Sequence, residues 1–291
     1  MVFDLFGAHA SLAWGLCLIG EKSVGIAGLI ARYAKRGRTL KTWRNVLVTP
    51  DPHLTELFGT CSDEDLIPIR DYILKAMTNG LDTDEHYKRQ PNFPTRYIDS
   101  LVFQIRTFGG NSFVNVFRGD GVAYAEIVED VAKKLKVHKV PDFDDKTVEE
   151  REQLVLAKIV EDSMKNMTED ELRELEDLFG EAGLEGRNLR GGIPLAALIA
   201  QGAIQLAGFA AYRMAVVVAN AVARQVLGHG LRLATNAALA RGMAVFAGPI
   251  GIAITAIWTL FDISGPAYRV TIPVVCHVAY LRAKADFAES V

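Results

Sequence analysis

The chain has 291 residues, of which 50% are hydrophobic and 23% are charged. This is enough apolar material to bury a core as one large domain or two modest ones, and it excludes a disordered chain. The three cysteines, Cys17, Cys61 and Cys276, show no CxxC spacing. An odd, scattered set suits a reducing compartment better than a disulfide framework and predicts free thiols.

The net charge of −3 is unevenly distributed along the chain. Residues 1–48 carry a net charge of +5, residues 49–190 one of −12 and residues 191–291 one of +4. We therefore predict an apolar and basic N-terminal segment, an acidic helical domain and an apolar C-terminal helical region, with these boundaries. The basic ends favour contact with anionic lipid, although they could equally pack on the acidic domain. They form no dense patch, so no nucleic-acid partner is expected.

The first predicted element is a basic amphipathic helix within residues 24–45. It combines Leu29 with Arg36 and Arg38, a composition typical of a helix lying on an anionic membrane surface. A solvated helix that covers the acidic domain has the same composition, so both interpretations stay open. The apolar run before it lacks a basic start and a clean cleavage site, so we do not expect a cleaved signal peptide.

The acidic domain shows clear helix start and stop signals. Three capping boxes are predicted, at Ser62 with Asp65, Thr147 with Glu150 and Thr168 with Glu171. Gly109 and Gly110 follow a helical pattern and predict a helix end with a left-handed cap. Strand-like alternation is nearly absent, so the sequence predicts an all-α fold. The carboxylates of residues 147–177 are interpreted as the solvated faces of acidic helices.

The C-terminal region contains two long uncharged runs, residues 194–212 and 242–261. Continued to the turn at Gly228, the first run predicts a helix of about 34 residues, near 50 Å long. Both runs are long enough to span a bilayer, but their many alanines and glycines contribute little to insertion. An arginine such as Arg213 would add a penalty of roughly 2.5 to 3.5 kcal/mol. A constitutive membrane-spanning protein is therefore disfavoured.

Two interpretations of these runs remain. They form either a helical hairpin inside a soluble fold or a hairpin that enters lipid on a trigger. The second hypothesis predicts membrane contacts in the apolar runs and in the N-terminal helix, at Ile254, Trp258, Phe261, Tyr212, Leu29, Arg36 and Arg38. After the hairpin, Arg269 is expected to pair with Asp262, and Pro273 is expected to begin the last helix after an extended YRVT segment.

A search for catalytic and metal-binding motifs gives no candidate. The six histidines lie far apart in the sequence, and none belongs to an HExxH or cysteine-rich pattern. The glycine-rich segments at 108–112 and 180–192 lack the GK[ST] ending of a phosphate loop. We expect no enzymatic activity, no cofactor and no metal site. An enzyme with a site built from dispersed residues would not be detected in this way.

Three sequence segments are more informative about the family than the overall composition is: FGGNSFVNVFRGDGVAYAEIVEDVAKKLKV at 108–137, VLGHGL at 226–231 and AYRVTIPVVCHVAYLR at 267–282. The order and the amino-acid sequences of these segments resemble those of the YaaW-like family of bacterial proteins over residues 53–285. The resemblance implies a loose association with ubiquinol-cytochrome c chaperones, and it supplies no catalytic residues.

The sequence thus favours a membrane-active helical protein, of the pore-forming or membrane-perturbing kind, that inserts an apolar hairpin. Its predicted partner is an anionic lipid bilayer, with a protein partner and oligomerisation in the membrane as further options. The alternative is a soluble chaperone or assembly factor for a membrane complex, whose apolar region is its core. The expected location is the cytoplasm and the membrane, and export as an effector stays open.

Overall fold

A computed structural model describes residues 50–76, 79–109, 121–178, 195–201, 208–232, 237–261 and 267–289. For residues 237–243 and 258–261 it describes the helical backbone alone. Within these ranges the chain forms α-helices and short 3₁₀ turns, with no β-strand. The all-α prediction is therefore confirmed for the described residues.

The helices have the following bounds in chain order: α1 Pro52–Thr60, α2 Asp63–Leu74, α3 Glu85–Arg89, α4 Ile98–Phe108, α5 Tyr124–Lys134, α6 Val148–Met164, α7 Glu169–Leu178, α8 Leu195–Ala200, α9 Gly208–Leu227, α10 Ala237–Phe261 and α11 Tyr268–Glu289. Short 3₁₀ turns at Leu81–Thr83, Pro94–Arg96, Val137–Lys139 and Phe143–Asp145 lie between them.

All three predicted capping boxes are present. At the start of α2, the Asp65 backbone N–H donates to Ser62 Oγ over 3.3 Å, and the Ser62 N–H donates to the Asp65 carboxylate over 3.1 Å. The same reciprocal pair of bonds opens α6 and α7. Each box satisfies two N–H groups that have no partner inside the helix, so these three helices start where the sequence indicates.

Helix α11 lies at the centre of the fold. Its residues from Val270 to Leu281 are all buried, and it packs against α1, α2, α4, α5, α6, α9 and α10. A helix that is apolar on every side is stable only when other elements surround it. The core that results is continuous from Leu54 on α1 to Leu281 on α11, so helices of the acidic and the apolar regions share it.

The start of α11 differs from the sequence prediction. The YRVT segment is helical, and Pro273 lies inside the helix rather than at its first position. Val270 and Thr271 favour strands, but complete burial among helices outweighs that weak local preference. Pro273 removes one helical hydrogen bond, whose acceptor would be the carbonyl of Arg269 at the exposed start of the helix. Solvent can replace the lost bond there.

The end of α4 is a second correction. The helix ends at Phe108 as predicted, but Gly109 has an extended backbone with φ of −73° and is not a left-handed cap. Glycine is required here because a Cβ on Gly109 would collide with the side chains of Val122 and Ile127. Its role is therefore close approach of two segments, and Gly110 lies outside the described residues.

Two glycines divide the apolar region. Gly208 has φ of +52° at the start of α9, and a right-handed helix cannot pass through a left-handed residue. The predicted single helix of about 34 residues is therefore wrong, and α8 and α9 are separate. Gly228 has φ of +85° and ends α9 at the predicted turn. The proposed boundaries at residues 48 and 190 lie outside the described residues and stay predictions, as does the pair of Arg269 with Asp262, because Asp262 is outside as well.

We expect Gly109→Ala to lower the free energy of unfolding by roughly 1 to 3 kcal/mol, because the added methyl group overpacks the contact with Val122 and Ile127. Gly59→Ala in α1 is the matched control, since a Cβ there meets nothing within 4 Å and an alanine favours the helix by about 0.5 to 1 kcal/mol. Urea denaturation measures both changes. Equal effects of the two variants would contradict the close-approach role of Gly109.

Candidate functional site

One side of α10 faces outward and is uncharged at the positions whose side chains the structure describes, 244–257. Its exposed residues are spaced by three or four positions and therefore form one stripe along the helix: Ala244, Gly248, Ile252, Thr255 and Ala256. We call this stripe the outer face of α10. Ile252 is 55% exposed, which is unusual for a large aliphatic side chain.

An open groove of about 660 Å³ runs beside the outer face. Its lining is uncharged and consists mostly of small side chains: Gln225, Ala247, Gly248, Gly251, Ile252, Thr255 and Ala256. Two of its polar side chains are joined, because Gln225 donates to Thr255 Oγ1 over 2.9 Å, and Thr255 donates to the Gly251 carbonyl over 2.8 Å. The groove therefore offers an apolar surface.

Two of the residues predicted to contact membrane, Ile254 and Tyr212, do not form this surface. Ile254 is completely buried, on the opposite side of α10 from Ile252. Tyr212 on α9 is half-buried and stacks on Phe209 and Phe287, with ring centroids 6.4 Å and 5.3 Å away. Ile252 was missed, because an uncharged run does not show which side of its helix the neighbouring helices cover.

The remaining predicted contacts lie outside the described residues. They are Leu29, Arg36 and Arg38 of the N-terminal segment and the side chains of Trp258 and Phe261. Their roles stay predictions.

A buried ion pair joins α6 to α11. Arg282 donates from Nε to Glu152 over 3.0 Å and from Nη2 over 3.3 Å to the second oxygen of that carboxylate. Glu152 is only 1% exposed, so the interpretation of this carboxylate as part of a solvated face is wrong. Burial raises the pKa of Glu152 above its usual value, although the Arg282 guanidinium acts in the opposite direction.

Arg282 also connects these helices to α1. Its Nη2 lies 3.4 Å from the backbone carbonyl of His53, and its Nη1 lies 3.5 Å from the carboxylate of Glu149. The His53 ring lies 3.4 Å from the same Glu149 oxygen. A single guanidinium on α11 thus contacts two other helices, α6 and α1, and its bidentate contact with Glu152 fixes its orientation.

A cavity of about 240 Å³ adjoins the ion pair. It lies between α6, α9 and α11, and its lining combines the charged network with small side chains: Glu149, Glu152, Gln153, Leu156, Gly208, Ala211, Ala215, Ala279, Arg282, Ala283 and Asp286. Among the described residues, no group of His, Cys, Asp or Glu side chains is arranged to hold a metal ion. Cys61 and Cys276 are free thiols.

Within the described ranges, every helix falls short of the length or the apolar content that crossing a bilayer requires.

Comparison with known proteins decides the family. A UPF0174 protein of Helicobacter pylori strain J99 is 39% identical over 214 residues, which are 74% of this chain and 82% of the relative. The chain belongs to the UPF0174 family. A second UPF0174 protein, from H. pylori strain 26695, is 34% identical over 72% of this chain and 98% of its own length.

Another UPF0174 relative is YaaW of Escherichia coli K12, which is 33% identical over 62% of this chain and 69% of its own length. The YaaW-like resemblance is thereby confirmed, and these relatives are bacterial. Their names do not mention ubiquinol-cytochrome c chaperones, so that association receives no support. No family model matches the chain, and no solved structure does.

Removing one partner of the ion pair should destabilise this UPF0174 protein more than removing both. We expect Arg282→Met to cost about 3 to 5 kcal/mol, because it leaves the Glu152 charge buried without a partner. The double variant with Glu152→Leu should recover most of this loss. Arg173→Met is the control, since Arg173 pairs with Asp170 at the surface and should change stability by less than about 1 kcal/mol. Additive losses in urea denaturation would contradict the coupling.

Proposed function

We propose that the protein is a non-enzymatic, membrane-active helical protein that attaches to the bilayer through the outer face of α10. The observation that carries this proposal is that the exposed side of a 25-residue helix offers no charged side chain among its described positions and exposes Ile252 by 55%. Water-facing sides of helices are ordinarily polar. An apolar stripe of this kind gains free energy when a bilayer surface covers it.

The distribution of charge along the chain also supports attachment through the outer face of α10. Residues 191–291 have a net charge of +4, whereas residues 49–190 have one of −12. An anionic bilayer attracts the first region and repels the second. Within this proposal the α10 side of the protein faces the lipid.

The proposed attachment leaves the fold intact. Phe246, Ile250 and Ile254 on the inner side of α10 belong to the hydrophobic core, and deeper insertion has to withdraw them from α6 and α9. We therefore place surface attachment first in the sequence of events. Insertion of an apolar hairpin, and any pore, would be a later step that requires α9 and α10 to leave the core.

A protein partner is the second candidate. The groove beside the outer face is uncharged and has a volume of about 660 Å³, which suits an apolar segment of a membrane complex that this chain would help to assemble. Lipid vesicles separate the two candidates, because an assembly factor of this kind does not require a bilayer for binding.

Ile252 and Ile254 provide a matched pair of substitutions in one helix. We expect Ile252→Lys to leave the melting temperature nearly unchanged but to weaken binding to vesicles of phosphatidylcholine and phosphatidylglycerol by roughly 10- to 100-fold, because burial of an isoleucine contributes about 1.5 to 3 kcal/mol. Ile254→Lys should unfold the protein, because it buries an unpaired charge.

Vesicle flotation and thermal unfolding measure these effects. Wild-type protein that stays unbound at every content of anionic lipid would reject the membrane proposal and leave the assembly-factor candidate. Wild-type-like flotation of Ile252→Lys would reject the outer face of α10 as the attachment surface.

A further inference from the structure

His277 lies in the middle of α11, with 1% of its surface exposed. Its Nε2 atom is 2.8 Å from the backbone carbonyl oxygen of Asp65 on α2. A carbonyl oxygen can only accept a hydrogen bond, so the proton of the neutral ring resides on Nε2. This bond joins α11 to α2 through two residues that are 212 positions apart in the chain.

The other ring nitrogen has no such partner. Nδ1 of His277 is buried and accepts no hydrogen bond from any described residue. The ring packs edge-on against Tyr72 of α2 and Tyr280 of α11, with centroids 6.0 Å and 5.4 Å away. A second proton would therefore create a buried N–H donor, and a positive charge, facing aromatic side chains.

The charged and titratable groups around His277 do not neutralise such a charge. They come from α2, from α11 and from the segment between α1 and α2: Asp65, Tyr72, Cys276, Tyr280, Lys284 and Cys61. The Asp65 carboxylate is already engaged, since it accepts from Lys284 Nζ over 2.6 Å and from Ser62. Lys284 is itself a cation and opposes a second positive charge.

We propose that His277 is an acid-sensitive switch whose protonation at Nδ1 opens the packing of α11 against α2. The closed fold accommodates only the neutral ring, so a proton that binds there selects conformations in which the ring reaches water.

The direction of the pH dependence follows from the environment of the ring. Burial lowers the pKa of His277 to about 4, while the Asp65 carbonyl and carboxylate act in the opposite direction. In the unfolded chain a histidine titrates near its ordinary pKa of about 6.5. The folded state therefore binds this proton less readily than the unfolded state does. Its contribution to stability is complete above pH 6.5 and is lost as the pH falls from 6.5 towards 4.

Aromatic contacts extend from the switch to the apolar helices. Tyr280, which touches His277, also packs against Tyr212 of α9 at 6.3 Å between ring centroids, and α9 packs along α10. Opening around His277 loosens the support of α9. If the proposed membrane function holds, on which this consequence rests, acidification is the trigger that frees α9 and α10 for lipid.

The switch can be tested by urea unfolding at pH 7.5 and pH 4.5. Titration of His277 between pKa 6.5 and 4 raises the unfolding equilibrium constant by roughly 50- to 100-fold over this interval. We expect His277→Gln, which keeps an N–H donor but does not titrate, to lack this increase. His86→Gln is the matched control, because His86 is exposed on α3, and it should keep the wild-type increase.

The other titratable groups are expected to titrate in the same way in wild type, His277→Gln and His86→Gln. The pKa values of Asp65 and Glu149 are lowered and that of Glu152 is raised, so their effects cancel in the comparison with wild type. A wild-type pH dependence in His277→Gln would overturn the proposal.

Should His277→Gln fail to fold, NMR titration of the wild-type imidazole decides the question. The proposal expects the folded ring to stay neutral down to about pH 5, with the protection factors of amides in α2 and α11, corrected for the intrinsic exchange rate, falling about tenfold per pH unit below 6.5. Protonation of the ring near pH 6.5 without opening would overturn it.

Dye release from vesicles of phosphatidylcholine and phosphatidylglycerol, measured over the same pH range, tests the link to membranes. Acid-enhanced release in wild type that is lost in His277→Gln supports the link. If unfolding depends on His277 as proposed but vesicles stay sealed at every pH, the membrane function fails while the switch stands. If vesicles leak equally with and without His277, the switch is not the trigger.

Discussion

Helix α11 is surrounded by protein along twelve consecutive residues, from Val270 to Leu281, and seven other helices pack on it. Water does not reach these twelve residues, so each polar group on them has to be matched by a neighbouring helix or left unpaired at a cost. His277 meets the backbone of α2, and Arg282 meets a carboxylate of α6. The helices that contact α11 are therefore positioned by a small number of polar contacts within an otherwise apolar core.

The same physical constraint explains the contrast between the two sides of α10. Two positions along a helix differ by about 200° around its axis, so Ile252 faces outward and Ile254 faces the core. The inner side is held by dispersion and burial against α6 and α9. The outer side has no such partner among the described residues. In the proposed attachment to a membrane, the inner side of the helix stays in place while the outer side contacts lipid.

Features set by nearby residues were predictable from the sequence. A capping box joins residues three positions apart, and a glycine turn needs only its own backbone, so Ser62, Thr147 and Gly228 were interpreted correctly. Features set by distant residues were not. Glu152 resembles any solvated carboxylate until Arg282, 130 positions away, is placed beside it. The extended YRVT prediction failed for the same reason, because its helical form depends on burial by other helices.

Arg282 and Lys284 together settle how α11 is rotated about its own axis. A helix that is apolar on every side packs almost equally well in several orientations, because one aliphatic side chain can replace another at each contact. Arg282 holds Glu152 on α6, and Lys284, two positions further on, holds Asp65 on α2. These two pairs point to different neighbours, so turning the helix or sliding it by one residue breaks both at once. The two charged residues thus give α11 a single rotation about its own axis and a single position along it.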